Sequence, residues 1–474
     1  MRTRLFRRLG LAAAALTMAL SVTAVSAPPA AAAPAPYGKV TVGDRTFITD
    51  SNGRALHFRG FNRGKYPSDR VSEQDVQEMA AKGLNFLRLV VQWQYIEPVQ
   101  GRYDADYLAY IDRVLSYGDR HGVYVMIDMH QDVFGPHFGG HNGMPAWATR
   151  DDGLPYERDP DGNWFNEYFQ PGVQAAFEHL YEDADLRAAQ VAMWQQVART
   201  ASGHQSLLGY DLMNEPMTKI LENEDLVTAS ARFEQGQLAA MYRRLITGIR
   251  QIDTRGWIFV EPTVLVGEGV PTRLPAFNDD RVAYAPHFYN TGVEVGADWD
   301  PADGFVERYE AAITAYPKAH RMPLIVGEWG PPSARTPGNR ELIRRQMAAI
   351  NRFASGEAMW YWCKGNGGYC ALDPQGAPAP GHEPAFGPYA RAVAGRPTAH
   401  NYDPATRTFT LSYTLPLTVH GDTEISLPDH VYPNGFNVSV AGIAGRLWDD
   451  TRNILQINGW GAPYTTVKVT ITPR

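Results

Sequence analysis

Cysteine is almost absent from this chain: 474 residues contain two, Cys363 and Cys370. That excludes a fold stapled by several disulfides and a cysteine-rich zinc module. In an exported chain, a lone pair this close reads as one disulfide pinning a short loop. A metal site there would need nearby His or carboxylate partners at suitable spacing, and none is evident. No long basic stripe occurs and the formal charge is −7, so nucleic acid is not an expected partner. After the first 35 residues no apolar run is long enough to cross a bilayer. The chain has no GxSxG elbow, GxxxxGK loop or HExxH pair, and no dinucleotide fingerprint between strand and helix. Neither a metal nor a cofactor is expected.

What is present begins with an export signal. Arg2, Arg4, Arg7 and Arg8 precede an apolar stretch and then small residues through Ala33. Residues 1–33 therefore read as a signal peptide with its cleavage zone, and the mature protein as secreted. Aromatics make up 11% of the chain, with 11 Trp and 24 Tyr. Such faces fill cores and also suit the C–H faces of sugar rings.

Beyond a short hairpin lead-in, apolar runs alternate with helical patterns. Strands are predicted at 56–61, 86–91, 124–129, 208–213, 257–260, 283–286, 324–327 and 358–362. Several are continuously apolar, as strands buried on both faces are. Helices are predicted at 72–82, 104–121, 185–201, 230–251, 301–316 and 339–354, the first opened by a Ser72/Asp75 capping box. Eight strands with interleaved helices read as an α/β fold, a (β/α)8 TIM barrel over 37–396. From 397 to 474 short alternating strands replace helices, which predicts a small C-terminal β-sandwich.

Two strands end on a glutamate before a turn: Glu215 in LMNEP and Glu328 in VGEWG. In a parallel barrel such ends form the rim where chemistry collects. Two facing carboxylates are the minimal machinery for glycoside cleavage. Glu215 is the candidate acid/base, and Glu328 the candidate nucleophile. Taken alone, Glu328 also fits a strand-end acid in a structural ion pair. Arg88 is a charge inside an apolar strand and needs a carboxylate partner, expected to be Glu328. Tyr289 is placed to bond the nucleophile, with His287 nearby. Asn214, His130 and Asp132 are candidates to hold sugar hydroxyls, and Trp362, closing the eighth strand, to floor the sugar.

The stretches HFRGFN (57–62), NFLRLVVQW (85–93), MIDMHQD (126–132), YDLMNEP (210–216), APHFYN (285–290) and VGEWG (326–330) resemble retaining glycoside hydrolases of family 5. Within it, MIDMHQDVF, NGMPAWATRDDGLP (142–155), NWFNEYFQPGV (163–173) and FGPYARAVAG (386–395) are similar to the endoglycoceramidases, which release intact glycans from ceramide. The resemblance implies Glu215 as acid/base and Glu328 as nucleophile. It also implies His130, Asp132, Asn214, Tyr289 and Trp362 around the sugar, with Trp164 near the glycan and Lys65 as a sugar-binding lysine. The segment MWYWCKGNGGYC (359–370) departs from the pattern and leaves open whether the ceramide-linked sugar is glucose or, as in the 6-gala series, galactose.

An amphiphilic substrate requires an apolar exit for the lipid. Phe134, Phe138, Met144, Pro145, Ala146 and Trp147 could supply part of it; the sequence equally allows a loop that packs a small core of its own. The expected partner is thus a glycosphingolipid, met at a membrane or micelle surface by a monomer. Two other readings remain: a family 5 cellulase, exo-β-glucanase or mannanase acting on polysaccharide, and a non-catalytic glycan-binding barrel.

Overall fold

The apolar runs close into a barrel because each is buried on both faces. The computed structural model describes residues 35–474 apart from 417, 442, 451, 461 and 462; the expected export signal lies outside the described residues. The barrel strands are Phe58–Arg63, Phe86–Val91, Tyr124–Met129, Leu207–Asp211, Trp257–Val260, Val282–Tyr284, Ile325–Val326 and Gly356–Met359. They form one parallel sheet in the order seventh, eighth, then first through sixth. Backbone bonds join sixth to seventh and close the ring: Tyr284 N–H donates to Pro323 O at 2.9 Å, and Phe288 N–H to Glu328 O at 2.9 Å.

Alternation along each strand divides the side chains. Phe58, Phe86, Tyr124, Met126, Leu208, Trp257 and Phe259 form one buried cluster with Ile48, Leu56 and Ala392. Phe61, Leu87, Leu89 and Ile127 belong instead to the larger cluster shared with the helices. Ile48, Leu56 and Ala392 come from strands of the neighbouring sheet, so this apolar plug fills the barrel end nearest that sheet. The charged residues of the barrel interior lie above the plug, toward the C-terminal strand ends.

The first two predicted helices start where the sequence signals them. Ser72 Oγ accepts from Asp75 N–H at 3.2 Å while Asp75 Oδ2 accepts from Ser72 N–H at 2.9 Å, closing the capping box before Glu73–Ala81. Asp104 caps Ala105–His121. The helix expected over 230–251 begins earlier, at Leu226 behind the Asp225 cap, and runs through a π turn at Glu234–Leu238 before Ala239–Arg250.

A seven-stranded antiparallel sheet faces a four-stranded one over a second core that includes Phe47, Ala390, Phe409, Leu411, Ile425, Ile457 and Val469. The sandwich draws on both ends of the chain. The N-terminal strands Pro36–Val42, Arg45–Asp50 and Ala55–Leu56 join it through Tyr389–Val393. Among the described residues no helix is long and apolar enough to cross a membrane.

Candidate active site

Strand ends from around the ring bring the two glutamates to one mouth. Glu215 follows the fourth strand and Glu328 the seventh. A carboxylate oxygen of each lies within 4.8 Å of the other and of a His287 ring nitrogen. Glu215 adopts φ 44°, a left-handed conformation uncommon for a residue with a side chain. Gln131 braces that turn: its Nε2 donates to the carbonyls of Asn214 and Glu215, at 3.0 Å each.

Arg88 is the hub beneath them, with its guanidinium fully buried. Nη1 bonds Glu328, Nε bonds Asp211 at 2.9 Å, and Nη2 contacts Asp128 and Glu261 at 2.9 Å each. Asn62 and Asn214 add carbonyl oxygens at 3.0 Å. The expected Arg88–Glu328 pair is therefore one arm of a five-residue ionic cluster. Asp128, Asp211 and Glu261 were not among the sequence candidates. Burial, followed by the charge on Glu261, pushes the Asp211 carboxyl well up.

Two histidines bracket the pair. His287 Nδ1 sits 2.8 Å from Glu215 Oε1, and Nε2 3.3 Å from Glu261 Oε1. Burial works against its charge, yet Glu261 and Glu328 outweigh that and raise its pKa well above the usual value. His130 Nδ1 contacts Asp128 Oδ2 at 2.8 Å, and Nε2 lies 3.6 Å from Asp132. Here too burial opposes the charge, and Asp128 and Asp132 lift the pKa to about 9. Lys65 Nζ reaches Asp132 Oδ2 at 2.8 Å. On the opposite side Tyr289 Oη donates to Glu328 Oε2 at 3.1 Å. Burial raises Glu328 above the ordinary carboxylate range, against the pull of His287, Arg88 and His130.

The structure corrects the eighth-strand aromatic. The strand ends at Met359 and does not continue to Trp362. Trp362 turns into the core, 1% exposed, against Phe61, with Nε1 donating to Asp75 at 3.2 Å. Trp360 takes the site-facing place: its ring stacks 5.5 Å from His130, with Lys65 Nζ 5.0 Å from its centroid. Asn214 donates to Gln131 O at 3.1 Å while accepting from Arg88, which among the described residues leaves one amide N–H for a ligand. Trp164 sits at the rim, 40% exposed, its ring 6.0 Å from Tyr168. Cys363 and Cys370 form a disulfide within the loop after the eighth strand.

The expected apolar exit is also corrected. Phe134, Phe138, Met144 and Pro145 are buried, and Phe134 meets Phe177 edge-on at 5.1 Å. Phe134, Phe138 and Met144 join the main core shared with the helices, including Phe177 of the helix Pro171–Glu182, while Ala146 stays exposed and Trp147 half-buried.

The model of the cellulase family, glycosyl hydrolase family 5, matches residues 49–366, and that of the family 5 C-terminal domain matches 388–472. The chain belongs to glycoside hydrolase family 5. It is 28% identical over 246 residues to an endoglycoceramidase of Cyanea nozakii, covering 45% of this chain and only 49% of that relative. It is 24% identical over 423 residues to endoglycoceramidase I of Rhodococcus hoagii, covering 84% of this chain and 82% of that one. Among solved structures it is similar to endo-glycoceramidase II from Rhodococcus sp. in complex with ganglioside GM3. That match has 30% identity and a TM-score of 0.81, covering 91% of this chain and 100% of that one. The same enzyme has been solved as a lactosyl-enzyme intermediate, at 31% identity and a TM-score of 0.78, covering 90% of this chain and 99% of that one.

A family 5 glycosidase of this kind retains configuration through a covalent intermediate. That mechanism needs carboxyl groups about 5–5.5 Å apart, close enough for direct attack on the anomeric carbon. One oxygen of Glu215 lies within 4.8 Å of one of Glu328, an approach of the retaining kind, whereas an inverting pair must leave room for water between them.

Proposed function

We propose that the protein is a secreted endoglycoceramidase that cleaves the β-glycosidic bond between an oligosaccharide and ceramide. The carrying observation is the Glu215–Glu328 pair at a barrel mouth in a chain similar, over nine-tenths of its length, to an enzyme solved with a ganglioside. In the first step Glu328 attacks the anomeric carbon and Glu215 protonates the departing ceramide oxygen. In the second, Glu215 takes a proton from water, whose oxygen displaces Glu328 and frees the glycan with its configuration kept. Arg88 and Tyr289 hold Glu328 in line. Asn214, His130, Asp132, Lys65 and Trp360 surround the sugar, and Trp164 lies farther along the glycan.

The substrate is met at a lipid surface. Leu154, Leu221 and Val295 are exposed apolar side chains on loops leaving the third, fourth and sixth strands. These loops rise on the active-site side of the barrel, where apolar contact with a micelle or bilayer is useful. Export follows from the N-terminal arginines, apolar stretch and small residues. A protein retained in the cell with residues 1–33 uncleaved overturns that part.

The test is to incubate the enzyme with a glucosyl-linked ganglioside and with a 6-gala glycolipid, then identify the released glycan by mass. Intact oligosaccharide plus ceramide is expected from one of them, and none from the Glu328→Gln variant. Reducing ends from soluble cellulose or mannan, with both glycolipids untouched, would establish the polysaccharide reading instead. Glycan binding with no hydrolysis of any glycoside would leave a non-catalytic barrel.

A further inference from the structure

Barrel and sandwich meet over buried positive charge, at the end of the barrel opposite the catalytic mouth. His57 lies just before the first barrel strand, Arg45 opens the strand Arg45–Asp50, and His400 lies on the sandwich strand Arg396–Asp403. The two imidazoles meet edge to face with centroids 5.2 Å apart. All three side chains line a cavity of about 10 Å³, room for one water-sized sphere, walled elsewhere by Phe47, Val393 and Leu411. His57 is 4% exposed. Its Nε2, His400 Nε2 and Arg45 Nε are buried and have no hydrogen-bond partner among the described residues. The rest of the Arg45 guanidinium meets only neutral carbonyls: Nη1 donates to Asn351 O at 3.1 Å, and Nη2 to Ala354 O.

The charges here do not balance. Burial pulls the Arg45 guanidinium down to about 10, with no carboxylate opposing it. Arg59, fully buried nearby, faces Glu357, whose Oε1 lies 3.4 Å from its Nε. Burial pushes that acid up to about 7 against the pull of Arg59, so near neutral pH it offsets Arg59 only in part. Burial first, and then the neighbouring cations, hold both imidazoles well below the usual value. They are therefore neutral rings, each with one N–H to give. A buried guanidinium without a counter-charge is costly. Water in the cavity satisfies hydrogen bonds but brings no charge. We propose that this junction binds a small monovalent anion of the halide class, held by Arg45 with His57 and His400 as N–H donors. Arg45 and His400 come from the two sheets of the sandwich, His57 from the barrel, and Asn351 and Ala354 from the end of the last barrel helix, Pro337–Phe353. The anion thus fastens the sandwich to the barrel, and its binding is independent of the glycosphingolipid reading.

Two measurements test this. Crystals of the enzyme soaked in sodium bromide are examined at the bromine absorption edge, and an anomalous peak is expected between His57, His400 and Arg45. In solution, the unfolding midpoint is followed while sodium chloride replaces sodium gluconate at constant ionic strength, gluconate being too large for the cavity. The wild-type midpoint is expected to rise by about 2–4 °C on reaching about 0.5 M chloride. His400→Phe replaces one donor with an apolar ring, and Arg45→Gln removes the charge. The chloride-dependent rise is expected to vanish in each, so either variant that folds is sufficient, and the bromide peak needs neither. No bromide peak in the cavity overturns the proposal. So does a chloride dependence equal in wild type and variants. A peak with no chloride-dependent midpoint marks an adventitious ion only and overturns it as well.

Discussion

Glu261 accepts a hydrogen bond from the backbone N–H of Glu215 at 2.8 Å. Its other oxygen takes Arg88 Nη2 at 2.9 Å and faces His287 Nε2 at 3.3 Å. One carboxylate thus fixes the backbone of the acid, the arginine hub and the histidine beside the acid. Glu261→Gln keeps the shape and turns one acceptor into a donor that faces other donors. The expected outcome is a fall in kcat of roughly 10- to 100-fold with KM little changed, because the acid is displaced and not the sugar site. Losing the Glu261 charge also lowers the His287 pKa, so the pH profile of kcat/KM shifts, which a merely structural role would not produce. Unchanged kcat and pH profile would refute this positioning role.

Arg88 compensates four buried carboxylates at once. Arg88→Met removes that charge and leaves them facing one another without water. The expected cost is about 3–5 kcal/mol of stability at neutral pH, read by urea unfolding. The deficit should shrink as the pH falls and the carboxylates take up protons. A loss under about 1 kcal/mol would mean that the cluster relaxes or hydrates, and the hub would then be a minor contributor.

The barrel was legible because its strands are short apolar runs with helices between, and all eight overlap the predicted runs, the eighth only at Ala358 and Met359. Glu261 precedes Pro262 just as Glu215 precedes Pro216, so its place on the rim was legible too. Its partners were not, because Glu215, Arg88 and His287 come from three other strands. Asp128 and Asp211 carried the same signal as Arg88, a charge within an apolar strand. The eighth strand shows where reading by alternation ends. Trp360 and Trp362, two apart, share a face only while the strand continues; it stops at Met359, and the rings part. The long third loop shows a second limit. Phe134 and Phe138 look the same in a sequence whether they line an open rim or join the closed main core.

The two tryptophans separate function from stability. Trp360→Ala removes the ring stacked with His130 and is expected to lower kcat/KM roughly 10- to 100-fold with little change in unfolding midpoint. Trp362→Ala empties a core position against Phe61 and is expected to cost about 3–5 kcal/mol. Any folded remainder of that variant should keep near-normal KM. The reverse pattern would return Trp362 to the sugar site.

His130 lies between Asp128 at 2.8 Å and Asp132 at 3.6 Å, with Glu328 at 3.9 Å and Trp360 stacked on its ring. Its folded pKa, about 9, stands above the unfolded value of about 6.5. The unfolded chain therefore loses this proton first as pH rises. The stabilisation from the cation is complete below about 6.5 and is lost as pH climbs through about 9. Asp132→Asn removes one of the two charges holding the proton, and Lys65 loses its carboxylate partner at 2.8 Å. The expected result is a His130 ring titration moved to lower pH, followed by NMR, with stability falling earlier on the alkaline side than in the wild type. The sugar flank loses its acceptor in the same variant, so KM rises. If the His130 titration stays in place while KM rises, Asp128 alone holds the proton, and Asp132 serves only to orient the lysine and the glycan.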